Sequence, residues 1–297
     1  MTTPTYPHRR RLLPMLLGSG VLLLAACQPD TAAAPRPDTS GTPAAASPPT
    51  SPPARAAATD VGLTAGQRLT ILADTLASTP ADTTTDLPYT YLHLQTWARA
   101  TNRIVRSDVR RWRHADGSGR EVIRRAPDLA GVEHQPGPDE RSLFDRAAPT
   151  TRRHQPGGLH PYLSEPVPAD PARLARLLVP AELVGEPAYP RLLAGGVIGL
   201  ATSQHLDRSQ RATALRVLAR IPGITYGGPT TDLAARAGLA FRVAAEGSTT
   251  VLVIDPSTGE LLAAHERVSG IRPGLFSHVL VLTRGHTTDT ATPPTAG

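Results

Sequence analysis

The chain's one cysteine, Cys27, closes the tetrapeptide Leu24-Ala25-Ala26-Cys27. A thiol is the side chain that forms a thioether to a diacylglyceryl group, and small residues at 25 and 26 let an extended backbone enter a peptidase cleft. Four residues alone say little, and the setting gives them weight. His8-Arg9-Arg10-Arg11 is a positive segment, and Leu12 to Leu24 is an apolar run broken only by Pro14 and Gly18-Ser19-Gly20. A membrane span needs about 20 residues, so this shorter run reads as the middle of a secretory signal. The expectation is a lipoprotein signal peptide over 1–26, cleavage before Cys27, and retention on the extracytoplasmic face of the cell membrane by lipid on Cys27. An ordinary cleaved signal and an uncleaved signal anchor are the alternatives. Two or three acyl chains hold stably where one binds marginally. A lipidated Cys27 leaves no thiol for a disulfide or a cysteine metal site.

Other chemistry has weaker signals. The ten histidines show no His-x-x-x-His or His-Glu-x-x-His spacing, so neither a metal nor a cofactor is expected. His154 and His160 share one loop and are the nearest thing to a ligand pair. Gly-x-Ser-x-Gly and phosphate-loop patterns are absent, and the expectation is that the chain is not an enzyme. Tyr91, Trp97 and Trp112, with Tyr89, are nearly the only large aromatics in the first half of the folded part. They either fill the core or line an apolar cavity that binds a ligand. Arg110, Arg111 and Arg113 flank Trp112. They read as a charged strand edge or as a contact for an anionic head group.

All 31 basic residues are arginine, and the net charge is +6. Loss of Arg9, Arg10 and Arg11 with the signal lowers it to +3, a mildly basic surface with no call for nucleic acid. The expected partners are the membrane, through Cys27, and an envelope protein or a hydrophobic ligand.

The elements that must position these residues begin after a spacer. Residues 27–60 are Pro, Ala, Thr and Ser with almost no large apolar side chains, which predicts a disordered linker. From 61 to 285 the pattern is that of one domain. Thr64 caps a short helix with Leu69, Leu72 and Leu76 on one side. Tyr89–Trp97, the stretches Arg103–Arg106 and Val109–Trp112 as one strand or two, and the alternating Arg120–Arg125 predict an antiparallel meander, with Asp116-Gly117-Ser118-Gly119 as a turn. Residues 126–168 have few apolar anchors and read as a long surface loop. Three helices follow. The first is capped by Asp170 with Pro171 at its first position, the second runs from Tyr189 to His205, and the third is capped by Asp207 or Ser209. Strands are expected at Ile224–Gly227, Leu239–Val243, Val251–Ile254, Leu261–Val268 and Val279–Thr283, with a tight turn at Asp255-Pro256-Ser257-Thr258-Gly259. The tail 286–297 is polar and expected to be disordered. Strands, then helices, then strands argue an α+β fold, an antiparallel sheet with helices packed on one face.

The order of segments resembles an uncharacterised actinobacterial family of secreted or membrane-anchored proteins. The resemblance rests on Tyr91-x-x-x-Gln95-x-Trp97, on Trp112 followed by Asp116-Gly117-Ser118-Gly119-Arg120, and on Pro168-Ala169-Asp170-Pro171-Ala172-Arg173-Leu174. Its most specific part runs from Arg211 through Ile221-Pro222-Gly223-Ile224 to Val253-Ile254-Asp255-Pro256-Ser257-Thr258-Gly259-Glu260-Leu261-Leu262. Members carry one membrane span where this chain has its lipobox, and lipid in one leaflet cannot pass a conformational signal across. The resemblance implies an envelope sensor or accessory, associated with sigma-factor regulation, and supplies no functional residues. More distantly, the plan is similar to the half-barrel of lipoprotein carriers, which says little about function. Together these readings lead to a non-enzymatic ligand- or partner-binding envelope module, with a carrier of a lipid or other hydrophobic ligand as the alternative.

Overall fold

The computed structural model describes residues 62–80 and 87–294. Strands β1 (Tyr89–Ala100), β2 (Arg103–His114), β3 (Gly119–Ala130) and β4 (Pro149–His154) come first. Strands β5 (Thr225–Thr231), β6 (Ala237–Ala245), β7 (Ser248–Ile254), β8 (Leu261–Val268) and β9 (Gly274–Thr287) come last. Helices α1 (Ala65–Ser78), α2 (Arg141–Asp145), α3 (Pro171–Leu178), α4 (Tyr189–Ser203) and α5 (Arg208–Ala219) complete the set. Among the described residues the strands form one antiparallel sheet in the order β4-β3-β2-β1-β9-β8-β7-β6-β5. The two meanders therefore meet in the middle, where β9 pairs with β1 along ten residues of each-other's length from Tyr89↔Thr287 to Ala98↔Ser277. The fold is α+β.

Helix starts follow the capping residues. Thr64 Oγ1 accepts from the Gln67 amide at 3.2 Å, while Gln67 Oε1 accepts from the Thr64 amide at 2.8 Å, a reciprocal box. Asp170 accepts from the amides of Ala172 and Arg173, and Pro171 holds the first helical position. Of the two caps open for α5, Asp207 is the one used: it accepts from the Gln210 amide at 2.8 Å, and the Ser209 hydroxyl donates to it. The Asp255 turn forms as its composition predicts. Asp255 Oδ1 accepts from the amides of Ser257 and Thr258, and Gly259 takes a φ of +66°. A Cβ on Gly259 would stand 2.2 Å from Leu76 Cδ1, so the turn also fixes how closely α1 approaches.

Period-two alternation sorts the sheet into two faces. On one, Phe241, Val243, Leu252, Ile254, Leu261 and Ala264 pack against Leu69, Leu72, Leu174, Leu193, Leu200, Leu215 and Leu218 of α1, α3, α4 and α5. This is the helix layer. On the other, Trp97, Ile104, Ala126, Val253, Leu262, Ala263, Leu275 and Leu280 form a second cluster closed by Phe144 of α2. Four helices thus gather on one face, and the short α2 lies on the opposite one.

Two segments differ from expectation. Residues 126–168 are more than a surface loop: they finish β3, form a 3-10 turn (Pro138–Glu140) and α2, and supply β4. Phe144 in this segment is 0% exposed. One aromatic on a five-residue helix is too short a pattern to show period, and β4, a strand of Pro, Thr, Arg and His, has no apolar alternation because neither of its faces is covered. The polar tail also departs from the disordered reading of 286–297. β9 continues to Thr287, and Asp289 folds the next residues back by accepting from the amides of Ala291 and Thr292. Their carbonyls then receive Arg120 (2.9 Å, at Thr290) and the Trp112 indole (3.3 Å, at Thr292). Backbone acceptors of this kind leave no trace in composition.

Candidate functional site

Cys27 and the segments read as signal peptide and linker lie outside the described residues. Among the described residues no helix is long and apolar enough to cross a membrane.

The three aromatics singled out for ligand binding share one face of the sheet, the face turned away from the helix layer. Trp97 is 0% exposed, edge-on to Phe144 at 5.6 Å and to His278 at 5.3 Å. Tyr91 and Trp112 sit opposite one another on β1 and β2 with ring centroids 4.9 Å apart, packed with Val122. Burial pushes the Tyr91 phenol up to about 12. The structure brings Tyr91 and Trp112 together and sets Trp97 in a separate cluster. None of the three borders the space between sheet and helices.

Around Trp97 lies a polar network that sequence reading does not single out. Glu140, in the 3-10 turn, accepts from the Trp97 indole (3.0 Å), Arg106 (2.8 Å), the Gly137 amide (3.0 Å) and shares a 2.6 Å hydrogen bond with His134. Burial pushes its carboxyl up, but these donors outweigh it and hold the group below the ordinary range. Arg106 is itself buried and also donates to the Pro127 carbonyl. The carboxylate thereby straps the Pro138–Asp145 segment onto β1 and β2. Next to it His278 stacks on His265 at 5.7 Å, and burial followed by the His265 charge pushes His278 down to about 4. Further along the same pair of strands, Asp108 of β2 bonds His93 at 2.7 Å and Gln95 at 3.1 Å, both on β1. Burial raises this carboxyl, yet the bonds from His93 and Gln95 and the charge of Arg110 bring it below the usual value.

These pairs have limited chemistry. A nucleophilic dyad needs a hydroxyl or thiol on the imidazole. The side chains of His93, His134 and His154 bond Asp108, Glu140 and Glu121, which are carboxylates and not hydroxyls. His154 turns to Glu121 at 3.1 Å. Among the described residues no group of three or more His, Cys, Asp or Glu converges as metal ligands.

Among the described residues two spaces stand out on the helix side. One, between α4, α5 and strands β7–β8, is about 20 Å³ and lined by Val197, Leu206, Leu215 and Leu252 among others. That is room for a single water. The other is a slot of about 190 Å³ under Gly195, Ile198 and Gly199 of α4, floored by Thr250, Ala264, Glu266, Ser277 and Val279. Ligand pockets of drug-like size begin near 300 Å³.

The β3–β4 end of the sheet carries a group of arginines. Arg124, Arg125, Arg152 and Arg153 stand there, and among the described residues none of them pairs with a carboxylate. Arg152 lies opposite Glu121, but that carboxylate is occupied by Arg111 at 2.8 Å and His154 at 3.1 Å. The Arg152-Arg153 pair in the sequence was the available signal, hidden inside the segment read as a loop.

No family model matches the chain, and none of the curated proteins does. The resemblance to an actinobacterial family therefore assigns no membership. Among solved structures the chain is similar to MucB of Pseudomonas aeruginosa in its complex with MucA, at 13% identity and a TM-score of 0.29, over 77% of this chain and 58% of that one. It is similar to MucB alone at 12% identity and a TM-score of 0.29, over 77% of this chain and 60% of that one. The chain thus spans about three-fifths of those proteins. A superposition this loose carries no function or partner across.

Proposed function

We propose that the chain is a lipid-anchored envelope protein, held on the outer face of the cell membrane through Cys27, whose domain binds a partner protein and catalyses no reaction. The leader and Leu24-Ala25-Ala26-Cys27 support the anchor, and residues 27–60 give it reach. The filled core supports binding at the surface in preference to carriage inside. A lipid carrier needs a continuous apolar cavity of several hundred cubic ångströms. The space between sheet and helices is about 20 Å³ at its centre and about 190 Å³ at the partly polar slot under α4. Tyr91, Trp97 and Trp112, the candidates for lining such a cavity, pack at the other face. That is the observation on which the choice rests.

Native mass spectrometry of the folded part tests it. The expected spectrum is of bare protein that stays bare when phospholipid is offered. A co-purified lipid, or stoichiometric capture of an offered one, would return the carrier to first place.

A further inference from the structure

We propose that β4 is a docking strand for an acidic, extended segment of a partner protein. The proposal rests on the partner-binding reading above and gives the partner its chemistry.

A sheet of this kind has two edges, β4 and β5. An open edge presents unpaired N–H and C=O groups to any extended chain, and proteins blunt edges they do not use. β5 is blunted twice: Gly227 bulges where the register shifts between Tyr226 and Gly228, and Pro229 sits mid-strand without an N–H. β4 has its only proline at the first residue, Pro149, and pairs with β3 in unbroken register from Gly119↔His154 to Arg124↔Pro149. Residues 150–154 all carry an N–H, and among the described residues no strand pairs with the far side of β4.

Charge then selects the occupant. Arg152 and Arg153 are consecutive, so the pleat sends them to opposite faces of the sheet. Arg153 stands opposite Arg120, which is spent on the Thr290 carbonyl, and Arg124 stands opposite Pro149. Glu121, the one acidic residue in this register, is already shared by Arg111 and His154. A strand added beside β4 therefore meets an uncompensated guanidinium on each of its two faces. A second copy of β4 would set arginine against arginine, which is repulsive. A strand with glutamates or aspartates on both faces is attracted. Anionic lipid would present its charge as one flat layer, and an edge with arginine on both faces matches a strand better than a plane.

The test uses the full chain and a ten-residue peptide of Glu-Glu pairs separated by Val-Thr, which puts glutamates on both faces of the added strand. Titration calorimetry is expected to show binding that weakens as salt rises. Hydrogen exchange is expected to show new amide protection within 150–154. The double variant Arg152→Glu/Arg153→Glu, whose fold is checked by far-UV circular dichroism, is expected to bind at least tenfold more weakly. A peptide N-methylated at alternate residues keeps the charge but loses backbone donors, and is expected not to bind. Equal binding of the methylated peptide, no protection at β4, or equal competition by phosphatidylglycerol vesicles would each overturn the docking strand. Cross-linking on intact cells separates this from the broader reading. A protein captured equally by the wild type and the double variant would remove β4 as the docking strand and leave partner binding standing. Capture of no protein would remove both.

Discussion

Glu140 does more than its position suggests. One carboxylate receives Trp97, Arg106, Gly137 and His134, and Arg106 has a side chain only 6% exposed. Removing one partner of a buried pair leaves the other charge stranded, at a cost of about 3–5 kcal/mol. Glu140→Gln is expected to lower stability by that amount in urea denaturation. The pH dependence has a definite sign. The folded carboxyl is held below its ordinary value, so the stability it lends is present above about pH 4 and is lost as pH falls through the folded value. The variant is expected to lose that part of the acid limb. His278 works in a different window. Its folded value is about 4 against an ordinary 6.5, so below pH 6.5 the unfolded chain takes up a proton that the folded chain refuses. Stability is expected to fall between pH 6.5 and 4 by about 3 kcal/mol. His278→Leu should flatten that stretch. An unchanged slope in the variant would mean that His278 is not the titrating group.

At the scale of elements, the strap Pro138–Asp145 is held by Phe144 as well as by Glu140. Phe144→Ala is expected to cost about 3–5 kcal/mol and to shift the emission of Trp97 to longer wavelength as its cover loosens. Unchanged emission would show that Trp97 is shielded without the strap. This element also marks where sequence reading stops. Thr64, Asp170-Pro171 and the Asp255 turn were legible because caps and turns are local: each side chain bonds an amide within three residues. The central strands were legible because one or both faces are buried in alternation. α2 and β4 were not, since a five-residue helix has no measurable period and an edge strand exposed on both faces has no pattern. The site suffers from the same limit. Trp97 is visible in the sequence as an aromatic, but the carboxylate that binds it is 43 residues away, and only the folded chain brings them together. The face on which an aromatic falls also depends on which side the helices choose.

For the molecule as a whole, the sheet is completed only when β9 slides between β1 and β8. The last strand thus joins the two meanders, and the domain closes late in the sequence. Its centre is filled, its two edges are unequal, and its uncompensated arginines collect at the open one. Such a domain is suited to holding another chain at its surface, and the proposed lipid anchor at Cys27 would supply the place. The central claim is that lipid on Cys27 fixes the protein to the membrane. Feeding cells radiolabelled palmitate and fractionating them tests it most directly. The account predicts label on the wild-type chain in the membrane fraction, with Cys27→Ala unlabelled and released from that fraction. Equal labelling and equal membrane retention of Cys27→Ala would contradict it.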